Sequence, residues 1–302
     1  MTAEAGLIVS RFVHFAAVLV LFGAAAFPLY AFRESDPAEN IRALAVRLRP
    51  LLIAAALMVF LSAVAWLSFT AANMSGSLAN AVNPSILALV IEQTDFGRVW
   101  IWRIGLSVVL AGLFFLKARH ESLALLQTAG AALLLTSIGG TGHSGATPGT
   151  LGTVHVAADS LHLLAASAWL GGLIPLMRIL SAKTVDDAFA LAILHRFSSM
   201  AILAVAALVA SGIANSVMIL ESFSALTGTL YGWVLIAKIL VFLGMMHFAV
   251  SNRFKLVPSL AQAASGEHTR QRLNTNITAE LALGTLVLAA VALLGTLSPS
   301  IE

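Results

Sequence analysis

The sequence predicts an all-α polytopic membrane protein with eight transmembrane helices, both termini on the outer side, and a 4+4 parallel internal repeat. Three observations carry that prediction. Only 10% of the 302 residues are charged and 59% are hydrophobic, against about 25% charged in a soluble domain. Several apolar runs reach the roughly 20 residues a helix needs to cross a bilayer. The basic residues alternate between loops in the way that fixes orientation. Mean hydropathy is +0.94. Lipid offers the backbone no hydrogen-bond partners, so the spans are helical. This composition excludes a soluble enzyme and a disordered chain, and no catalytic constellation is expected. The absence of cysteine excludes disulfides, iron–sulfur clusters and thiolate metal sites. The net charge of +3 sits in short loops between apolar runs and does not point to nucleic acid.

The spans fall at about 7–31, 50–73, 99–117, 122–141, 153–180, 196–220, 229–251 and 277–298. The first is read as retained, because a signal peptide would carry a basic leader and would not hold Arg11 and His14 within its apolar stretch. Arg33, Arg42, Arg47 and Arg49 precede the second span. Trp100 and Trp102 open the third in the manner of interfacial anchors. Lys117 and Arg119 precede the fourth, Arg178, Lys183 and Arg196 lie between the fifth and sixth, and Arg253, Lys255, Arg270 and Arg272 lie between the seventh and eighth. The loops on the other side hold Arg98 as their only basic residue. By the positive-inside rule the odd loops are cytoplasmic and both termini face out, into the periplasm of a Gram-negative host.

The chain reads as one integral domain in two halves, 1–148 and 149–302. His14 is followed nine residues later by Gly23, then by Pro28 and Arg33; His162 is followed nine residues later by Gly171, then by Pro175 and Arg178. Thr94-x-Phe96-Gly97-x-Val99-x-Ile101-x-Arg103-Ile104 aligns without a gap with Thr229-x-Tyr231-Gly232-x-Val234-x-Ile236-x-Lys238-Ile239. Four spans per half make the repeat parallel, about an axis along the membrane normal. His14 and His162 then become equivalent positions, and so do Arg103 and Lys238.

Ionisable residues within spans are candidates for function. His155, Asp159 and His162 are spaced i, i+4, i+7 and share one helix face, which Trp169 continues. Imidazole is the commonest metal ligand, and a neighbouring carboxylate either ligates or orients it. His14 joins them as a candidate ligand. So does His143, in the glycine-rich segment 139–149 before the fifth span. The competing reading is that polar side chains hydrogen-bond between helices. Met74 and Met218 at the outer ends of their spans, with Met200, Met245 and Met246 further in, offer soft thioethers, although methionine also serves as packing filler. Histidine and methionine without cysteine suit copper, as Cu(I) or Cu(II), better than a hard cation. Arg103 and Lys238 pair with an acid, bind an anion or snorkel. His247 and Glu280, near the inner ends of their spans, are candidates for an exit path.

The second half resembles the copper resistance protein D family of bacterial inner-membrane proteins. The resemblance is carried by Gly142-His143-Ser144, Asp159-x-x-His162-Leu163-Leu164-Ala165-Ala166, Trp169-Leu170-Gly171-Gly172-Leu173, Arg196-Phe197-Ser198, Ser211-Gly212, Tyr231-Gly232 with Lys238, Asn252-Arg253 with Pro258, and Glu280. It covers about residues 140–298; the first half is similar more loosely, through its layout and His14. The resemblance implies copper movement across the inner membrane of a multi-pass permease, with uptake as the usual direction and a small periplasmic copper-binding protein as partner. A homo-oligomer is compatible with it. The alternative from the residues themselves is a redox protein in which His14 and His162 are the axial ligands of one haem b, with Arg103 and Lys238 on its propionates.

Overall fold

A computed structural model describes residues 2–116, 121–139, 149–182, 184–220, 222, 224–261 and 266–300. The described residues are helical with short connections: α1 (Ala3–Ala31), α2 (Ala38–Met74), a 3₁₀ turn (Leu78–Val82), α3 (Pro84–Gln93), α4 (Asp95–Phe115), α5 (Glu121–Thr136), α6 (Gly149–Leu180), α7 (Asp187–Ile219), α8 (Ala225–Gly228), α9 (Leu230–Ala261) and α10 (Gly266–Leu294). Seven of these, α1, α2, α4, α6, α7, α9 and α10, are long and apolar enough to cross a membrane. The segment expected as the fourth span holds α5, a helix of 16 residues, about 24 Å long at 1.5 Å per residue and short of a ~30 Å hydrocarbon core. Its expected outer end runs into residues outside the description. Elsewhere the helices outrun the predicted spans, because hydropathy marks only the apolar stretch. The first turns of α2 carry Arg42, Arg47 and Arg49, and those of α10 carry Arg270 and Arg272.

Local chemistry sets the helix starts. Thr94 accepts a hydrogen bond from the Gly97 amide at 2.9 Å and Thr229 one from the Gly232 amide at 3.0 Å, so both helices that carry the intramembrane cations open on a threonine cap. Each threonine hydroxyl also donates back, to Val90 O and Ala225 O. Thr2 and Asp186 cap α1 and α7 in the same way.

Helices α1 and α6 cross at the centre, where Gly23 faces Gly171. Backbones approach this closely only over small residues. The crossing is fixed by Ser167 Oγ donating to Leu19 O at 2.7 Å and Tyr30 Oη donating to Ala168 O at 3.1 Å. At this point α6 widens into a π turn over Ser167–Gly171, a departure that often marks a functional place in a helix. A second π turn, Asn252–Leu256, interrupts α9. On one side of the crossing α1, α2, α4 and α5 enclose a core around Leu21, Val59, Ala63 and Leu134; on the other α6, α7, α9 and α10 enclose one around Leu173, Ile193, Leu273 and Ile277.

The basic ends of the helices are tied together. Arg196 grips Asp36 with both terminal nitrogens, at 2.5 and 3.1 Å, and caps Ala31 O. Arg178 donates to Arg47 O and Arg49 to Phe115 O. Arg196 beside it holds the Asp36 carboxyl below its ordinary value of 3.8. That stabilisation is complete above 3.8 and is lost as pH falls through the lowered folded-state value. Thermal unfolding of the detergent-solubilised protein is therefore expected to show a drop in Tm on acidification below pH 4. In Asp36→Asn that part of the drop is missing and Tm at pH 7 is lower. An equal acid response in both proteins would refute this assignment.

Candidate functional site

The two histidines make matching contacts with a serine of the next long helix and differ in the rest of their surroundings. On α1, His14 is fully buried and its Nδ1 lies 3.0 Å from Ser62 Oγ on α2. On α6, His162 places Nδ1 3.0 Å from Ser211 Oγ on α7. Each serine spends its own proton one turn back, Ser62 on Met58 O at 2.6 Å and Ser211 on Ala207 O at 2.5 Å. Each hydroxyl must therefore accept from Nδ1–H, which leaves the lone pair on Nε2. For His14 that lone pair is taken: Arg103 donates to Nε2 at 2.7 Å. Among the described residues His162 Nε2 has no hydrogen-bond partner.

Arg103 is 2% exposed. It also donates to Leu134 O at 2.7 Å and to Ser137 Oγ, so it neither snorkels nor pairs with an acid, as the sequence reading had allowed. Trp100 is a second correction. It is 0% exposed, donates its indole N–H to Ala63 O at 2.7 Å, and packs beside Trp66 and His14. Only Trp102, at 80% exposed, has the surface position of an interfacial anchor. His14 lies outside the cavity that His162 lines and has both ring nitrogens engaged, so nothing in this arrangement supports a shared haem.

The second half keeps the corresponding space open. A cavity of about 220 Å³ is bordered by His155, Asp159 and His162 of α6, Asn215 of α7, and Tyr231 and Lys238 of α9, with Arg11 of α1 at its edge. Counting from the serine, Asn215 stands where the first half has Trp66; counting from the threonine cap, Leu235 stands where it has Trp100. Two indoles fill one site, and an amide and an isobutyl group leave the other hollow. Asn215 donates to Asp159 Oδ1 at 3.3 Å. Lys238 lies close enough to act electrostatically on both His162 and Asp159. Arg11 lays its guanidinium over the Trp66 ring, 4.7 Å from the centroid.

The helix face expected from the i, i+4, i+7 spacing thus lines one cavity, running from His155 to His162. It does not fold into a closed cage: among the described residues no three His, Cys, Asp or Glu side chains are grouped to hold a metal. Two imidazoles seven residues apart stand about 10 Å apart along the helix, too far to share one ion. Trp169, further along α6, borders a separate cavity with Glu280. Met74 is exposed at the end of α2, Met218 is half-buried and does not line the cavity of His162, and His247 is exposed beside Phe248. Met200, Met245 and Met246 belong to the core of the second half. His143 lies outside the described residues. The sequence singles out Ser211 only within Ser211-Gly212 and gives neither it nor Ser62 a role; the recurrence of a serine 48 or 49 residues after each histidine is the signal that marks them.

Residues 1–153 match the family described as copper resistance protein D-like, N-terminal domain, and residues 191–294 match copper resistance protein D. Copper resistance protein D of Pseudomonas syringae pv. tomato is 31% identical over 304 residues, covering 97% of this chain and 96% of the relative. The chain belongs to the copper resistance protein D family. A second relative with near-complete coverage is the inner membrane protein YebZ of Escherichia coli K12, 30% identical over 292 residues, with 96% of this chain and 97% of the relative covered. The copper transport protein CutJ of Bacillus subtilis 168 is 28% identical over 240 residues; that is 76% of this chain and 41% of CutJ. No solved structure matches the chain. Within this copper resistance protein D family member, the two family matches fall on either side of the α6 face that lines the cavity.

Proposed function

We propose that this chain is a copper permease of the bacterial inner membrane and not an enzyme. It passes copper ions inward through the open half, with His155, Asp159 and His162 as stations and His143 as the outer capture point. The observation that carries the reading is the contrast between the two histidines. His14 Nε2 is capped by Arg103, whereas the His162 Nε2 lone pair has no partner among the described residues and His162 lines a cavity. Neutral imidazole suits copper, and a path that conducts must bind weakly enough to release, which fits successive ligands better than a closed cage. Asp159 offsets the positive charge of Lys238, so the cavity wall is not uniformly hostile to a cation.

The remaining architecture follows the same reading. The chain crosses the membrane eight times, with α5 and its continuation as the fourth span. Both termini are periplasmic, and the arginine-tied ends of α1, α2, α7 and α10 are cytoplasmic. The halves 1–148 and 149–302 descend from a parallel duplication, one kept as scaffold and the other as path. The relatives' names, copper resistance protein D and copper transport protein CutJ, support the cargo, and that of inner membrane protein YebZ supports the compartment. A soluble periplasmic copper carrier is the natural donor to the outer mouth.

The test is total cellular copper in cells expressing the wild type or His162→Ala at matched membrane levels. Wild-type cells are expected to hold at least twofold more copper than vector controls, and His162→Ala cells no more than controls. Lower copper in wild-type cells would reverse the direction to efflux. Equal copper in all three would sink the permease reading.

A further inference from the structure

Four of the helices that line the outer cavity, α6, α7, α9 and α10, line a second one nearer the cytoplasmic end, of about 50 Å³. Its polar groups are Ser198 of α7, Asn252 and Arg253 of α9, Glu280 of α10 and the indole of Trp169 on α6; the rest of the wall is apolar. Glu280 is 1% exposed. Asn252 Nδ2 donates to its Oε1 at 2.8 Å, and the Trp169 indole borders the same cavity. Arg253 is the only other charged group on this wall. It donates to Ser198 Oγ at 2.6 Å and forms no ion pair with Glu280. No titratable side chain of α6 or α7 borders the cavity.

A carboxyl in this setting is placed to hold a proton. Asn252 gives it an N–H and has its own Oδ1 taken by Asn276, and Ser198 Oγ is the one other side-chain oxygen on the wall, so a metal ion resting there would find few ligands where hard cations need several. A deprotonated carboxylate without a cation is costly in an apolar site. On the cytoplasmic side a chain of polar side chains leads from Glu280 toward the surface. Asn276 Nδ2, partly exposed on α10, donates to Asn252 Oδ1 at 2.8 Å, and Asn252 bonds Glu280. The π turn of α9 turns Asn252 and Arg253 together onto this wall. Between Glu280 and the outer cavity stands Trp169, packed edge-on against Phe242 with centroids 6.1 Å apart.

We propose that Glu280 is the proton-carrying site of a copper/proton exchanger; the inference rests on the copper-permease reading. In the arrangement described, the carboxylate takes a proton from cytoplasmic water along the Asn276–Asn252 side. Copper descending past Trp169 brings one positive charge to a site that holds one. The carboxyl O–H bond breaks, the proton leaves toward the outer cavity, and the carboxylate balances Cu(I) in transit. When copper leaves inward the carboxylate takes a new proton from the cytoplasm. The cycle moves one Cu(I) in and one proton out, with no change in oxidation state.

The purified full-length protein in liposomes tests this, with radiolabelled Cu(I) outside and a pH-sensitive dye within. The exchange has the same sign for either orientation of the protein in the bilayer. Copper entry is expected to make the lumen more alkaline, and a lumen one pH unit more acidic than the bath is expected to speed initial entry at least threefold. Glu280→Gln, which stays neutral, is expected to lose both effects while still exchanging labelled for unlabelled copper across the bilayer. Asn276→Ala leaves Glu280 untouched and is expected to weaken the pH response, so the proposal remains testable should Glu280→Gln not fold. Wild-type copper entry that neither changes lumen pH nor responds to the gradient would overturn the proton site and leave the permease standing. A pH response intact in Glu280→Gln would do the same. No copper entry in the wild type would overturn both.

Discussion

Leu235→Trp is expected to abolish copper accumulation while leaving the protein in the membrane at normal levels. The first half already contains the product of this substitution. Trp100 sits six residues after the cap Thr94 and is wholly buried against Trp66 and His14; Leu235 sits six residues after the cap Thr229 and borders the open cavity. An indole introduced into a well-packed core costs roughly 1–3 kcal/mol through strain. Here it has about 220 Å³ to enter, so the stability cost should be small and the functional cost complete. Asn215→Trp, at the position matching Trp66, is expected to act in the same direction and to remove the Asn215–Asp159 bond as well. Leu235→Ala enlarges the cavity and is expected to keep at least wild-type copper. Cellular copper and immunoblotted membrane levels, measured together, decide the matter. Normal copper in a stably inserted Leu235→Trp, Asn215→Trp double variant would mean that the ion does not pass through this cavity.

Much of this arrangement is legible in the sequence, and what is missing shares a cause. Hydropathy places the helices because lipid leaves the backbone no alternative. The shared spacing of His14 and Gly23 with His162 and Gly171 sets the two imidazoles equally far along their helices from the glycine contact. The i, i+4, i+7 spacing of His155, Asp159 and His162 puts them on one cavity wall, as a helix requires. The ungapped alignment even sets Trp100 opposite Leu235. It does not say that one is buried and the other borders a void, because an aromatic residue at the start of a span reads as an interfacial anchor until its neighbours are known. Arg103 presents the same difficulty. Its partners are the His14 ring, a carbonyl of α5 and Ser137, and no charge pattern advertises a carbonyl. Ser62 and Ser211 look like small residues in apolar helices until the imidazole opposite each is located. The π turns leave no compositional mark, yet one sits at the crossing of the halves and the other brings Asn252 to Glu280. What pattern conveys is which face a residue occupies; what it omits is the depth of packing over that face.

The largest effect on assembly is expected at the crossing itself. A Cβ on Gly23 would stand 2.6 Å from Gly171 Cα and closer still to Ser167 O; a Cβ on Gly171 would stand 2.6 Å from Leu19 O and 2.9 Å from Gly23 Cα. These neighbours are backbone atoms of the two central helices and cannot step aside as a side chain can. Gly23→Val and Gly171→Val must therefore force α1 and α6 apart, at a cost above the roughly 1–3 kcal/mol of ordinary overpacking. Separation would also break the Ser167–Leu19 and Tyr30–Ala168 hydrogen bonds that bridge the halves. Both variants are expected to yield little monodisperse protein in detergent, and what survives should unfold well below the wild type. Gly105→Ala and Gly112→Ala are the contrasting cases. Nothing lies within 4 Å of a Cβ at either position, and exchanging a helical glycine for alanine is worth about 0.5–1 kcal/mol in favour of the helix. These two should match or exceed the wild-type Tm. Were Gly23→Val to melt with the wild type, the halves would not meet at Gly23 and Gly171. The crossing is also what assigns the two histidines their separate fates: each lies nine residues from it on its own helix, and each bonds a serine on the next long helix of its own half. The imidazoles are thereby held away from each other, one against an arginine and one on a cavity.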